Sequence, residues 1–264
     1  MTEPTDRAIS LEIAVAASLD AIWQALSDAE QLRRWFPLEA RGTPGPDGEY
    51  TVGWGDGGEW TMRVAAWDPP RRLRLVSGAP GEDGAAQEQV LEWLVAGRDG
   101  AAVVRLVQSG FGPGAEWDEQ IEGLTAGWGY FLYNLKHYLE RHFGTPRDMV
   151  WARGRLRGAR ADPIAVALGS DGVASAPGWP SLELGEACSV LLGGIQAEGI
   201  VEVLRRPRTV GIRIPALGES LLFVEREGPG GLGLWLSTYG LPPERVGELR
   251  REMERRAKTL FEDA

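Results

Sequence analysis

The chain has 264 residues, 43% of them hydrophobic and 25% charged, an ordinary globular balance that excludes a disordered, collagen-like or fibrous protein. The formal charge of −10 sits entirely on residues 1–146, with 12 Lys or Arg against 22 Asp or Glu, while residues 147–264 carry 16 of each. An acidic first half with no basic stripe argues against nucleic acid or an anionic membrane as its partner. The single cysteine, Cys188, cannot form an intramolecular disulfide, the opening MTEPTD lacks the basic and apolar parts of a secretory signal, and no apolar run reaches the ~20 residues of a membrane span. These features lead us to expect a soluble, cytoplasmic protein.

In chain order, ISLEIAVA (9–16) alternates as a strand. Ser18 then fits a helix N-cap, with Ile22, Trp23 and Leu26 on the apolar side, and Asp28 caps a second short helix bearing Leu32, Trp35 and Phe36 that Pro37 ends. From Glu49 the period becomes two: Tyr50, Val52 and Trp54, a turn at Asp56 to Gly58, then Trp60, Met62 and Val64 predict a hairpin. Asp68 to Pro70 mark another turn, Leu73 and Leu75 a strand, and residues 78–84 a loop. Residues 90–96 and 101–108 form a second hairpin across Gly97 to Gly100, and Gly110 to Gly114 break the pattern. Trp117, Ile121, Leu124, Trp128, Leu132, Leu135 and Leu139 then fall at steps of three or four, a helix of ~25 residues ending near Gly144. A sheet with one apolar face needs a cover, and this helix is the element large enough to supply it.

Four segments in this order, LDAIWQALSDAEQLRRWF, AAWDPPRRLRL, VVRLVQSGFG and WDEQIEGLTAGWGYFLYNLKHYLE, resemble the activator of heat-shock protein 90 ATPase homologue family of the START-like (SRPBCC) superfamily. The resemblance covers nearly all of residues 8–144. It implies an α+β helix-grip fold, a curved antiparallel sheet around a long C-terminal helix, with a largely hydrophobic cavity between them.

The second half carries traces of a repeat. WDPPRRLRL beside LRRPRTVGI aligns Pro70 with Pro207, and VRLVQSGFG beside LWLSTYGLP aligns Gly110 with Gly240. We therefore expect two domains: a START-like helix-grip domain at 1–146 and a second, diverged START-like domain at 147–264. In the second, 150–158 is the first strand, 162–168 a reduced helical crossover, 182–192 and 200–204 further strands, and a final helix starts at Pro243 with Val246, Leu249, Met253, Leu260 and Phe261 facing a core. Nothing obvious in it replaces the Trp23 and Trp35 helices, so a ligand site there and a packing or partner surface are equally open. The cluster Arg153, Arg155, Arg157 and Arg160 reads as a solvated strand-edge face.

Catalytic and metal patterns are sparse. His137 and His142 lie five apart on the long helix, about 500° of rotation, and should not share a face. HExxH, CxxC and GxSxG are absent, so no metal and no cofactor is expected; GDGG at 55–58 is a turn with no helix after it. Glu92, between Leu91 and Trp93, either lines the cavity as a polar anchor or meets solvent while Trp93 faces in; Arg105 in the neighbouring strand could pair with it. Trp54, Trp60, Trp93, Phe111, Leu124, Trp128 and Leu132 are the candidate cavity wall, whose aromatic character suits an apolar, ring-containing or acyl ligand. Gly123, Gly127 and Gly129 each cost the helix ~1 kcal/mol relative to Ala, for which close packing or a cavity is a reason. The expected function is non-enzymatic binding of a small hydrophobic molecule in the first domain, as carrier or sensor. The alternatives are a co-chaperone activating a heat-shock ATPase and a cyclase- or dehydratase-like enzyme using Glu92 and Arg105.

Overall fold

The computed structural model describes residues 7–55, 58–80, 86–98, 101–112, 114–158, 162–172, 174–176 and 178–262. The chain divides into two units, 1–145 and 146–264.

In the first unit β1 (Arg7–Val15) is followed by α1 (Leu19–Ser27) and α2 (Ala29–Leu32), then β2 (Glu39–Gly42), β3 (Glu49–Gly53), β4 (Glu59–Asp68), β5 (Arg72–Pro80), β6 (Ala86–Arg98), β7 (Ala101–Phe111) and α3 (Glu116–His137), which runs on into a π-helical turn (Tyr138–His142). The strands form one antiparallel sheet in the order β1-β7-β6-β5-β4-β3-β2, which is the helix-grip order. The two caps read from sequence form: Ser18 Oγ accepts from Ala21 N at 3.2 Å and an Asp28 carboxylate oxygen from Gln31 N at 2.9 Å. Trp35 Nε1 donates to Ala25 O at 2.8 Å and Tyr50 OH to Ser27 O at 2.5 Å, tying the α1–α2 corner to itself and to the sheet. Strand β2 has too little apolar alternation to be legible in EARG. The expected loop at 78–84 is shortened by β5 and β6, and its residues 81–84 lie outside the described residues, as do Asp56 and Gly57 of the first hairpin turn, 99–100 of the second, and Pro113.

The second unit holds β8 (Arg147–Arg155), α4 (Pro163–Ala167), a 3₁₀ turn (Trp179–Ser181), β9 (Ala187–Leu192), β10 (Ile195–Arg205), β11 (Thr209–Ile214), a 3₁₀ turn (Pro215–Leu217), β12 (Ser220–Glu227), β13 (Gly231–Tyr239) and α5 (Pro243–Leu260). Its sheet runs β8-β13-β12-β11-β10-β9, the order of the first sheet without a counterpart of β2. The repeat extends to irregularities. The β4–β5 register shifts between Val64 and Ala66 and the β10–β11 register between Val201 and Val203, and the turn that follows carries a cis X-Pro peptide in both units, at Pro70 and Pro207. Strand pairing corrects the other landmark: Leu91 opposes Gln108 as Leu222 opposes Leu236, so Gly110 corresponds to Thr238 and not to Gly240.

Three boundaries of the second unit also move. Its first strand is 147–155, not 150–158; 182–186 precede β9 without being strand; and β10 starts at Ile195. The reduced crossover is α4, where an Asp162 oxygen caps Ala165 N at 3.1 Å while the other accepts Trp179 Nε1 at 3.1 Å. Buried Trp179 therefore does in this copy part of what the α1–α2 corner does in the first. The core is otherwise aliphatic, with Val190, Val201, Ile212, Leu222, Val224, Leu234 and Leu236 beneath Val246, Leu249, Met253 and Ala257 of α5. Register pairing sets Ala197 where the first unit has Trp60, Val224 where it has Trp93, and Cys188 where it has Tyr50. Arg153 and Arg155 lie on the edge strand β8 facing Glu227 and Glu262, a solvated edge; Arg160 is outside the described residues.

Candidate functional site

The first unit's inner face is built by strand parity. Leu91, Trp93 and Val95 of β6 are buried, as are Leu73 and Leu75 of β5 and Val104, Leu106 and Gln108 of β7. On β3 and β4 the same parity turns Tyr50, Val52, Trp60, Met62 and Val64 inward. Six rings meet above this floor. Trp93 stands edge-on to Trp35 at 5.8 Å and to Trp128 at 5.7 Å; Phe36 stacks on Trp128 at 5.2 Å and meets Phe131 at 4.7 Å and Trp54 at 5.3 Å. Edge-to-face and offset pairs at these separations add to the burial of the rings themselves. Trp128 Nε1 donates to Gln108 Oε1 at 2.6 Å, so this indole N–H of the cluster is answered by a buried amide. Trp54 Nε1 is buried without a hydrogen-bond partner.

Helix α3 grips unevenly. At its C-terminal end Lys136 Nζ donates to Ala14 O at 3.1 Å, and Glu140 Oε1 accepts from Ala16 N at 2.8 Å and from Lys136 at 2.5 Å. Leu132, Leu135, Tyr138 and Leu139 are buried. Its start is tied by Arg7, which donates to Gly114 O at 3.0 Å and pairs with Asp118, and by Trp117 against Phe111. Between these anchors no residue from 117 to 127 is buried, and Ile121, Leu124, Thr125 and Ala126 are half-buried. A Cβ added at Gly123 or Gly127 would meet nothing within 4 Å, so close packing is not why these glycines are there.

The sequence-predicted residues divide accordingly. Trp54, Trp93 and Trp128 come together in the ring cluster, Leu132 is buried beside it on α3, and Trp60 and Leu124 are half-buried on the inner face of β4 and on the first half of α3. Phe111 is buried elsewhere, against Trp117 at 5.8 Å. Glu92 and Arg105 are not brought together. Glu92 opposes Arg74 and Val107 on the outer face and is bonded to Arg72, whose Nε lies 2.8 Å away; Arg105 opposes Leu94, is exposed, and donates to Ser10 Oγ at 3.0 Å. The alternation of β6 that turns Trp93 inward turns both polar candidates out, so neither is an interior anchor. Gln108 and Phe36 were missed, though the parity of VVRLVQ already sets Gln108 with Val104 and Leu106.

Two further groups bear on chemistry. His137 and His142 do share a side: the π-helical turn at 138–142 adds a residue to the turn and brings their rings to 5.0 Å, both buried. Burial pushes the Cys188 thiol up to about 11, helped by Glu186 and Glu198, leaving it protonated and inert at neutral pH. Among the described residues no group of three or more His, Cys, Asp or Glu is arranged to hold a metal ion, and no helix is long and apolar enough to cross a membrane.

Residues 16–140 match the family model of the activator of Hsp90 ATPase homolog 1-like proteins. No curated protein matches the chain. Similar solved structures include a protein of Mesorhizobium loti, 21% identical over 52% of this chain and 98% of its own with a TM-score of 0.46. The Aha1 dimer of Colwellia psychrerythraea is 20% identical over 51% of this chain and 96% of its own, TM-score 0.45. DynU16, from the dynemicin biosynthetic locus, is 20% identical over 96% of this chain and 97% of its own, TM-score 0.45. That family match lies wholly inside the first, helix-grip unit of the chain.

Proposed function

We propose that the first unit binds a small, mainly apolar, ring-containing molecule between its sheet and the first half of α3, as a cytoplasmic carrier or sensor rather than an enzyme. The observation that supports this reading is the uneven grip: a tight ring cluster borders Trp54, Trp60 and Leu124, which are only half-buried, beside helical turns that bury nothing. Apolar surface left partly open beside a rigid aromatic wall is what an apolar ligand would cover. The test is a titration with the neutral fluorophore N-phenyl-1-naphthylamine, following energy transfer from tryptophan. A saturable response is expected, weakened at least about tenfold by Leu124→Glu, which sets a charge at the contact. A linear, non-saturating response in wild type would contradict the reading.

A second reading rests on the family match, whose description names an activator of a heat-shock ATPase. It predicts that the protein raises the turnover of an Hsp90-type ATPase, and an unchanged rate with no co-precipitation would remove it. The cyclase or dehydratase reading loses the pair it named, because Glu92 and Arg105 lie on the outer face. The second unit supports a protein-partner role better than a ligand site, since aliphatic side chains stand where the first has its aromatic wall.

A further inference from the structure

We propose that the outer face of the first sheet carries an oxyanion site, independent of the interior, framed by Arg63, Arg72 and Arg74 and suited to a small molecule bearing a phosphate monoester or paired carboxylates. The place is an open depression of about 430 Å³ lined by these arginines with Ala65, Ala66, Val76 and Glu88. Its origin is the bulge in β4. Arg63 opposes Val76 and Ala66 opposes Arg74, so Ala65 is the extra residue, and a methyl group stands where a longer side chain would fill the surface. Arg72, Arg74 and Val76 share the outer parity of β5, with Val76 buried at the floor of the depression, while Leu73 and Leu75 face the core. Arg63 and Arg74 are therefore diagonal cross-strand neighbours, roughly 7–8 Å apart at their origins, within reach of one oxyanion.

Charge pairing separates this spot from an ordinary arginine-bearing surface. Of the three, Arg72 is bonded to Glu92, its NH2 lying 2.7 Å from Oε1; among the described residues Arg63 and Arg74 have neither an ion pair nor a side-chain hydrogen bond. Glu49, opposite Arg63 in β3, and Glu88 at the rim share the face without closing on them. The second unit shows the closed version of the same geometry. Its bulge residue is Glu202, and Arg213, which opposes Ile200 two residues before the bulge, pairs with Glu202 and with Glu219, whose Oε2 lies 2.6 Å from Arg213 NH1. There the bulge is filled and neutralised from within. In the first unit Ala65 and Val76 stand in those two positions and the guanidinium groups around them are left to an outside partner, with Glu88 placed to accept from a hydroxyl or ammonium on it.

The test is a titration of the isotope-labelled full chain at physiological salt, reading the arginine Nε–Hε resonances, with inorganic phosphate, O-phosphoethanolamine and succinate in separate arms. Saturable shifts at Arg63, Arg72 and Arg74 are expected, with affinity lowered at least about tenfold in the R63A/R74A double variant and unchanged in R41A, an exposed arginine paired elsewhere. A response to the phosphate arms alone assigns a phosphate ester, and to succinate alone a dicarboxylate. All positions are exposed or half-buried on a sheet surface, and unchanged far-ultraviolet dichroism would establish that the variants are folded. The proposal is overturned if no arm saturates by about 20 mM, or if the double variant binds as wild type does.

Discussion

Glu225, half-buried on β12, titrates well above its ordinary range. Burial and the neighbouring Glu227 push its carboxyl up to about 7 from an ordinary 4.5, against the opposing pull of Arg205 and Arg208. Because the folded value is raised, the folded state holds this proton more tightly than the unfolded chain. The stabilisation is complete below about 4.5 and is lost as pH rises through 7, with an upper bound on the order of 3 kcal/mol. Glu225→Gln should accordingly leave urea stability unchanged near pH 4 and raise it at pH 8; an equal difference at both pH values would mean the charge is not the cause. Trp128 makes the complementary point about polar burial. Gln108→Leu removes the acceptor of its Nε1–H and should cost about 1–3 kcal/mol, more than the change of shape alone. Both positions show what a sequence can and cannot give at this scale. The inward direction of Gln108 follows from period two, whereas the environment of Glu225 depends on Arg205 at the end of β10 and Arg208 in the turn after it, which only folding brings beside β12.

At the scale of elements, Gly123 in α3 and Gly110 in β7 separate two physical cases. Gly123 is exposed with open space where a Cβ would go, so Gly123→Ala should raise thermal stability by about 0.5–1 kcal/mol through helix propensity. Gly110 in β7 has φ +94°, and a Cβ there would come within 2.2 Å of Glu88 O, so Gly110→Ala should destabilise severely, by more than the ~1 kcal/mol of a routine substitution. Calorimetry of the two variants checks both signs, and a stabilised Gly110→Ala would sink the steric argument. The length and direction of α3 were legible because seven apolar residues keep step over its whole course. The packing of His137 against His142 was not, because regular rotation of 100° per residue fails where the helix widens to a π turn. β2 was missed for the opposite reason: EARG pairs with β3 in regular register but carries no apolar alternation to read.

For the whole molecule, the tandem was visible in one pair of prolines and in the final helix, and the strand order, the matching bulges and the shared turn now tie the copies together. Boundaries in the second unit drifted by several residues because its helical crossover has shrunk to five residues, removing the marks that fix the register of β1 in the first. The uneven tryptophan content acquires a meaning from this comparison. Eight of the eleven lie in the first half, and at two inner-face positions where that unit has Trp60 and Trp93 the second has Ala197 and Val224. Aromatic walls were kept in one copy and replaced by a filled aliphatic core in the other. The most direct test of a ligand site in the first unit is fluorine NMR of protein labelled with 5-fluorotryptophan, titrated with N-phenyl-1-naphthylamine. The account predicts saturable shifts of Trp54, Trp60, Trp93 and Trp128 with Trp151, Trp179 and Trp235 unmoved. Shifts confined to those last three, or none anywhere, would contradict it.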